Sequence, residues 1–178
     1  MFSLDIQEMA QKVVDSYKKR SLKIVTAESC TGGLVAGALT SIPGSSVVLE
    51  RGFISYSNDA KVEVLGVLPE LLDVYGAVSN EVAEAMAQGA LEYSRADVGI
   101  SITGIAGPGG ATMNKPVGLV HFGLAIRSGT LFHYQCLFKG DRNDVRSASV
   151  YEALRLLYSV NIDPVSYTHL TLPTIYSV

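Results

Sequence analysis

The stretch Thr26-Ala27-Glu28-Ser29-Cys30-Thr31-Gly32-Gly33 decides the fold. The apolar run Leu22, Ile24 and Val25 ends in it, and Leu34, Val35, Ala36, Ala38 and Leu39 follow at helical spacing. A strand stops here and a helix begins. The two glycines place free backbone N–H groups at a helix N-terminus, where negative charge is favoured, whether on a bound anion or on an oxyanion formed in a reaction.

Before this corner, Ile6, Met9, Val13 and Tyr17 recur at helical spacing between residues 4 and 20, which predicts an amphipathic first helix. After it, Ile42-Pro43-Gly44-Ser45-Ser46 signals a turn and residues 47–57 read as a strand. Asn58-Asp59 caps a short helix that Gly66 ends, and Pro69 opens another through Val74. Ser79 is suited to cap a helix that turns Val82, Ala85, Met86, Gly89, Ala90 and Tyr93 inward. The β-branched run from Val98 to Thr103 predicts a buried strand entering a second glycine-rich corner, Gly104 to Gly110. Residues 117–127 and 130–138 around Ser128-Gly129 predict a hairpin, and Asp141 with Asp144 opens a last helix carrying Val150, Leu154 and Leu157 on one face. This order implies an α/β fold, a three-layer α/β/α sandwich with a mixed β-sheet. Residues 1–162 form the domain. Asp163-Pro164 ends it, and the tail 163–178 fits no place in the sheet.

The 178 residues suffice for one hydrophobic core, and 14 Lys+Arg against 17 Asp+Glu leave no basic surplus for coating nucleic acid. Cys30 and Cys136 have no metal-ligand spacing and read as free thiols in a reducing compartment. No basic-then-apolar leader and no 18-residue apolar run occurs, so a cytoplasmic location without a membrane partner is expected. Whether the chain forms a homo-oligomer is left open.

Ser29 is the preferred nucleophile, with a hydroxyl at a helix entrance beside N–H donors; a plain N-cap is the competing role. Cys30 is the rival. No G-x-S-x-G elbow, H-E-x-x-H pair, G-x-G-x-x-G turn or P-loop is present. Ser16 and Lys19 match S-x-x-K but lie mid-helix on a lysine-rich surface. His121 and His133 fall within strands, where satisfied sheet histidines are expected, and His169 falls in the tail. Lys61, five residues after Tyr56 and just past a strand end, becomes the candidate base, because a buried lysine can lose its proton. Arg142 and Arg146 stand four apart where the helix dipole disfavours cations, so either Asp141 and Asp144 or a ligand phosphate faces them.

Five blocks in register resemble the CinA C-terminal domain, the bacterial nicotinamide-nucleotide amidase family. They are residues 26–33, Gly52 to Asn58 with Lys61, Thr103 to Gly110, Lys115-Pro116-Val117-Gly118, and Gly140-Asp141-Arg142 with Val145-Arg146. The resemblance runs from about residue 5 to residue 160. It implies hydrolysis of nicotinamide mononucleotide to nicotinic acid mononucleotide and ammonia in pyridine nucleotide salvage, with no cofactor and no metal. It places the catalytic set on Ser29, Tyr56, Lys61 and Thr103, with Arg142 close to the same pocket. Cys30, Thr31, Gly32, Gly33, Gly107, Gly109, Arg142 and Arg146 are then the substrate-binding candidates: N–H groups from Cys30 to Gly33 for the oxyanion, the second glycine corner as a wall, and the arginines for the phosphate. Larger members carry an N-terminal domain resembling molybdopterin-binding proteins, which this sequence does not include. A non-catalytic nucleotide-binding module and a competence- or damage-related interaction domain remain the other readings.

Overall fold

The computed structural model describes residues 2–160. The domain boundary near residue 162, the tail and His169 lie outside the described residues.

Among the described residues six helices, α1 (Leu4–Lys19), α2 (Leu34–Thr40), α3 (Asn58–Leu65), α4 (Pro69–Tyr75), α5 (Asn80–Glu92) and α6 (Arg142–Ser159), enclose five strands. The strands are β1 (Ile24–Glu28), β2 (Leu49–Ile54), β3 (Val98–Gly104), β4 (Leu119–Ile126) and β5 (Leu131–Leu137), in the order β2-β1-β3-β4-β5. β1 runs parallel to both neighbours, while β3, β4 and β5 pair antiparallel. The mixed sheet follows from the tight turn around Gly129, which joins β4 to β5 too closely for a crossover helix.

Alternation along the strands divides the interior. Ile24, Ile100, Ile102, Val120, Phe122 and Leu124 join residues of α1, α2 and α6 in one apolar cluster. Val25, Ala27 and Ala125 face α5 with Val82, Met86 and Ala90 in the other. The expected three layers are therefore present, with the corner at residues 28–33 at the C-terminal ends of the parallel strands, where α/β sheets hold their ligands.

Several local expectations shift. β2 begins only at Leu49, preceded by a 3-10 turn at Ser45–Val47, because as an edge strand it extends only as far as its single partner β1. Its far end is Ile54, so Ser55 and Tyr56 lie in the connection to α3. α3 is capped by Ser57, whose Oγ accepts from Ala60 N at 3.0 Å, and Asn58 is already helical. Tyr93 lies beyond α5 and is half exposed. Gly89 allows α5 to approach α3: a Cβ there would sit 1.8 Å from the Leu65 carbonyl oxygen. That contact seats α3, and with it Lys61, against the sheet.

Candidate active site

β1 delivers Glu28 and Ser29 to the corner on opposite faces. Glu28 is fully buried, and its carboxylate accepts hydrogen bonds from Gly33 N at 3.0 Å, Val35 N at 3.0 Å and Ala36 N at 2.9 Å. The anion at the N-terminus of α2 is thus a side chain of the protein itself. This corrects the expectation of a free donor set from Cys30 to Gly33: Gly33 N–H serves Glu28, and Gly32 N–H donates to Ser29 O at 3.0 Å. Among the described residues, no main-chain carbonyl takes the N–H groups of Cys30 and Thr31 at this corner. Removing the carboxylate would strand one buried and two partly buried donors, so Glu28→Ala is expected to lose about 3–5 kcal/mol of unfolding free energy in urea titrations.

Ser29 N donates to Ile102 O at 2.9 Å, which sets Ser29 beside Thr103 at the end of β3. Lys61 reaches the same point from α3. It is 1% exposed, and its Nζ lies 3.2 Å from Ser29 Oγ, 2.9 Å from Ser55 O and 3.4 Å from Tyr56 O. No carboxylate forms an ion pair with it among the described residues. Burial pushes its pKa below the ordinary lysine value. A neutral amine has two N–H bonds and one lone pair. Two carbonyls match the N–H bonds, which leaves the lone pair for the Ser29 hydroxyl proton.

Cys30 follows a different path. Its side chain joins the apolar cluster that holds Val35 and Val145, and burial pushes the thiol pKa up to about 12. It stays a protonated thiol on the far face of the sheet. Cys30 and Cys136 are both free of disulfides.

Tyr56 contributes to Lys61 through its carbonyl. Its side chain is 60% exposed, and its hydroxyl accepts from Arg142 Nη2 at 2.9 Å. Arg142 Nη1 donates to Gly107 O at 2.8 Å. Gly107 itself requires a positive φ of 84°, and a Cβ there would strike Val117 at 2.6 Å. Arg142, Gly107 and Tyr56 thereby form an arch beside a cleft of about 540 Å³ lined by Ala106, Gly107, Pro108, Val117 and residues 140–143. Gly109 stands in open space with no atom within 4 Å of a built Cβ.

Arg146 Nε donates to Cys30 O at 3.2 Å and its Nη2 to Thr31 O at 3.3 Å. Because C=O and N–H point oppositely across a trans peptide, holding Cys30 O towards α6 turns Thr31 N–H away from it. Asp141 and Asp144 partner neither arginine; they form the capping box of α6, which removes the internal-anion explanation for the arginine pair. Thr103 Oγ1 donates to Ala77 O at 2.7 Å at the entrance to α5. The two histidines are in strands as expected, yet they are not satisfied: His121 Nδ1 and His133 Nε2 are buried without a hydrogen-bond partner.

Residues 6–161 match the CinA C-terminal domain family. The chain belongs to this family. Its CinA domain is 44% identical over 158 residues to the nicotinamide-nucleotide amidohydrolase PncC of Escherichia coli K12, covering 89% of this chain and 96% of that protein. It is 49% identical over 150 residues to a CinA-like protein of Anaeromyxobacter sp. strain K, of which it spans 36%; of a 49% identical relative in Caldicellulosiruptor saccharolyticus it spans 38%. The crystal structure of the competence/damage inducible protein CihA from Agrobacterium tumefaciens superposes with a TM-score of 0.87 at 48% identity, covering 88% of this chain and 96% of that one. Among the described residues no helix of the CinA domain is long and apolar enough to cross a membrane.

Glu28 is the residue that sequence reading passed over. It stood inside the quoted stretch, but its partners lie five to eight residues downstream, beyond the span of ordinary capping patterns.

Proposed function

We propose that this chain is an amidohydrolase that converts nicotinamide mononucleotide to nicotinic acid mononucleotide and ammonia, in the salvage of pyridine nucleotides. The observation that carries this reading is the 3.2 Å contact between Ser29 Oγ and the buried, carbonyl-held amine of Lys61. A module that merely bound a nucleotide would have no use for a desolvated amine against a hydroxyl. The identity to the Escherichia coli protein of that name supports the substrate.

In this mechanism Ser29 Oγ attacks the carboxamide carbon as its proton passes to Lys61 Nζ. The N–H groups of Cys30 and Thr31 hold the resulting oxyanion, with Arg146 fixing the direction of Thr31 N–H. Lys61 then returns the proton to the departing nitrogen, the C–N bond breaks, and ammonia leaves an ester on Ser29. Water attacks that ester, Lys61 takes the water proton, and the proton goes back to Ser29 Oγ as the acid departs. Lys61 acts directly, since the Tyr56 hydroxyl is engaged with Arg142. Thr103 walls the reacting group, and the Gly107 corner lets the ribose lie close to backbone.

Arg142 holds the phosphate at the cleft. Arg142→Ala is expected to raise KM for the mononucleotide about 30-fold with little change in kcat, and to leave turnover of the unphosphorylated riboside nearly unaltered; parallel kinetics on the two substrates check this. The reading as a whole is tested by incubating purified, chelator-treated protein with nicotinamide mononucleotide and assaying ammonia and nicotinic acid mononucleotide. Equimolar release of both is expected. Absence of both would refute it.

A further inference from the structure

The C-terminal ends of the central strands carry a polar row on the face covered by α5. Ser55 N donates to Glu28 O at 2.9 Å, which places Ser55 beside Ser29, and Ser29 in turn lies beside Thr103. Thr103 is directly opposite His121 in the antiparallel register of β3 and β4. Face and register agree: Ser101, two residues before Thr103, donates its Oγ to Ala83 O on α5. Gly123, two residues after His121, would drive a Cβ to 2.2 Å from that same carbonyl. The row Ser55, Ser29, Thr103, His121 therefore crosses three strands and the end of β2 on one side of the sheet.

Both ends of this row are unsatisfied. Ser55 is fully buried and His121 is 5% exposed, yet neither Ser55 Oγ nor His121 Nδ1 has a hydrogen-bond partner. A buried polar atom without a partner is uncommon in a folded protein and calls for an explanation such as a bound group. The imidazole is also held in place: the His121 ring stacks on His133 at 5.6 Å between centroids and 26° between planes. The register puts this held acceptor one strand beyond Thr103, on the same side of the sheet as Ser29.

We infer that His121 is a specificity residue for primary carboxamides: its Nδ1 lone pair accepts a hydrogen bond from the substrate's amide N–H and aims the leaving nitrogen away from Ser29. This rests on the amidase reading above. Burial pushes the His121 pKa down to about 4, with the charges of His133 and Lys115 acting in the same direction and Glu81 opposing them. The ring is then neutral at working pH, with a lone pair to offer. An ester of the same acid carries no N–H on its leaving group and gains nothing from this acceptor.

The test compares nicotinamide mononucleotide with the methyl ester of nicotinic acid mononucleotide, using wild type and the variants His121→Phe, His121→Asn and His121→Gln. Thermal melting confirms that each is folded. His121→Phe is expected to lose about 30-fold in kcat/KM on the amide while staying within about threefold of wild type on the ester. His121→Asn, which keeps a polar atom near the position of Nδ1, should recover part of the loss, and His121→Gln should not. Equal losses on amide and ester, or no loss on either, would overturn the assignment and leave the amidase intact. A wild type inactive on both substrates would instead overturn the amidase reading, and this assignment with it.

Discussion

Ser29→Ala is expected to lower kcat for nicotinamide mononucleotide by about 10⁴-fold while leaving KM and the melting temperature close to wild type. The hydroxyl is small, its removal opens no sizeable cavity, and its main partner in the structure is the Lys61 amine at 3.2 Å. Residual activity would come from the oxyanion donors and from substrate positioning, which the substitution leaves in place. Cys30→Ala separates the two candidate nucleophiles. Its thiol lies in the apolar cluster with a pKa raised to about 12, so this variant should lose some stability but keep its turnover within about tenfold. Stopped ammonia assays on the two variants side by side are sufficient, and a reversal of the two results would move the nucleophile by one residue.

The second large effect falls on Lys61. Lys61→Met should cost about 10³-fold in kcat, and Lys61→Arg should not restore it, because a guanidinium stays protonated and cannot take the serine proton. For wild type, kcat/KM should rise with pH through the lysine's depressed pKa and level off below the 10.5 of an ordinary lysine. The same shift acts on stability. Since the folded lysine gives up its proton at lower pH than the unfolded one, the unfolded state binds more protons in the interval between the two pKa values. Wild-type stability relative to Lys61→Met should therefore increase as pH rises through that interval, and denaturant titrations across the alkaline range measure it. A stability difference that fell with rising pH would mean that Lys61 is held as a cation.

The layers were legible in the sequence because they rest on local signals: the apolar runs of β1 and β3, the Ser79 and Asp141 caps, and the Ser128-Gly129 turn signal before β5. The start of β2 was less so, because the length of an edge strand is set by its partner's length and not by its own residues. At the site, the small residues after β1 pointed to a helix entrance. That Glu28 fills this entrance was hidden, since its partners depend on how tightly the chain turns through residues 29–33. The closeness of Lys61 to Ser29 is likewise tertiary, produced by the seating of α3 on α5 at Gly89; sequence offered Lys61 as a base by elimination, and the family resemblance then joined the two residues. The arginines were read as a pair facing either Asp141 and Asp144 or a ligand phosphate. The structure gives them different partners, Arg146 at the carbonyls of the corner and Arg142 at the arch with Tyr56, because four residues along a helix that crosses a strand end reach different levels of the site.

The central claim is that acyl transfer passes through Ser29. Rapid-quench mass spectrometry of protein mixed with nicotinamide mononucleotide, followed by digestion, tests it most directly. The account predicts a transient ester that adds the nicotinoyl ribonucleotide mass at Ser29 and is absent from Ser29→Ala. A label on Cys30, or undiminished turnover by Ser29→Ala, would contradict it.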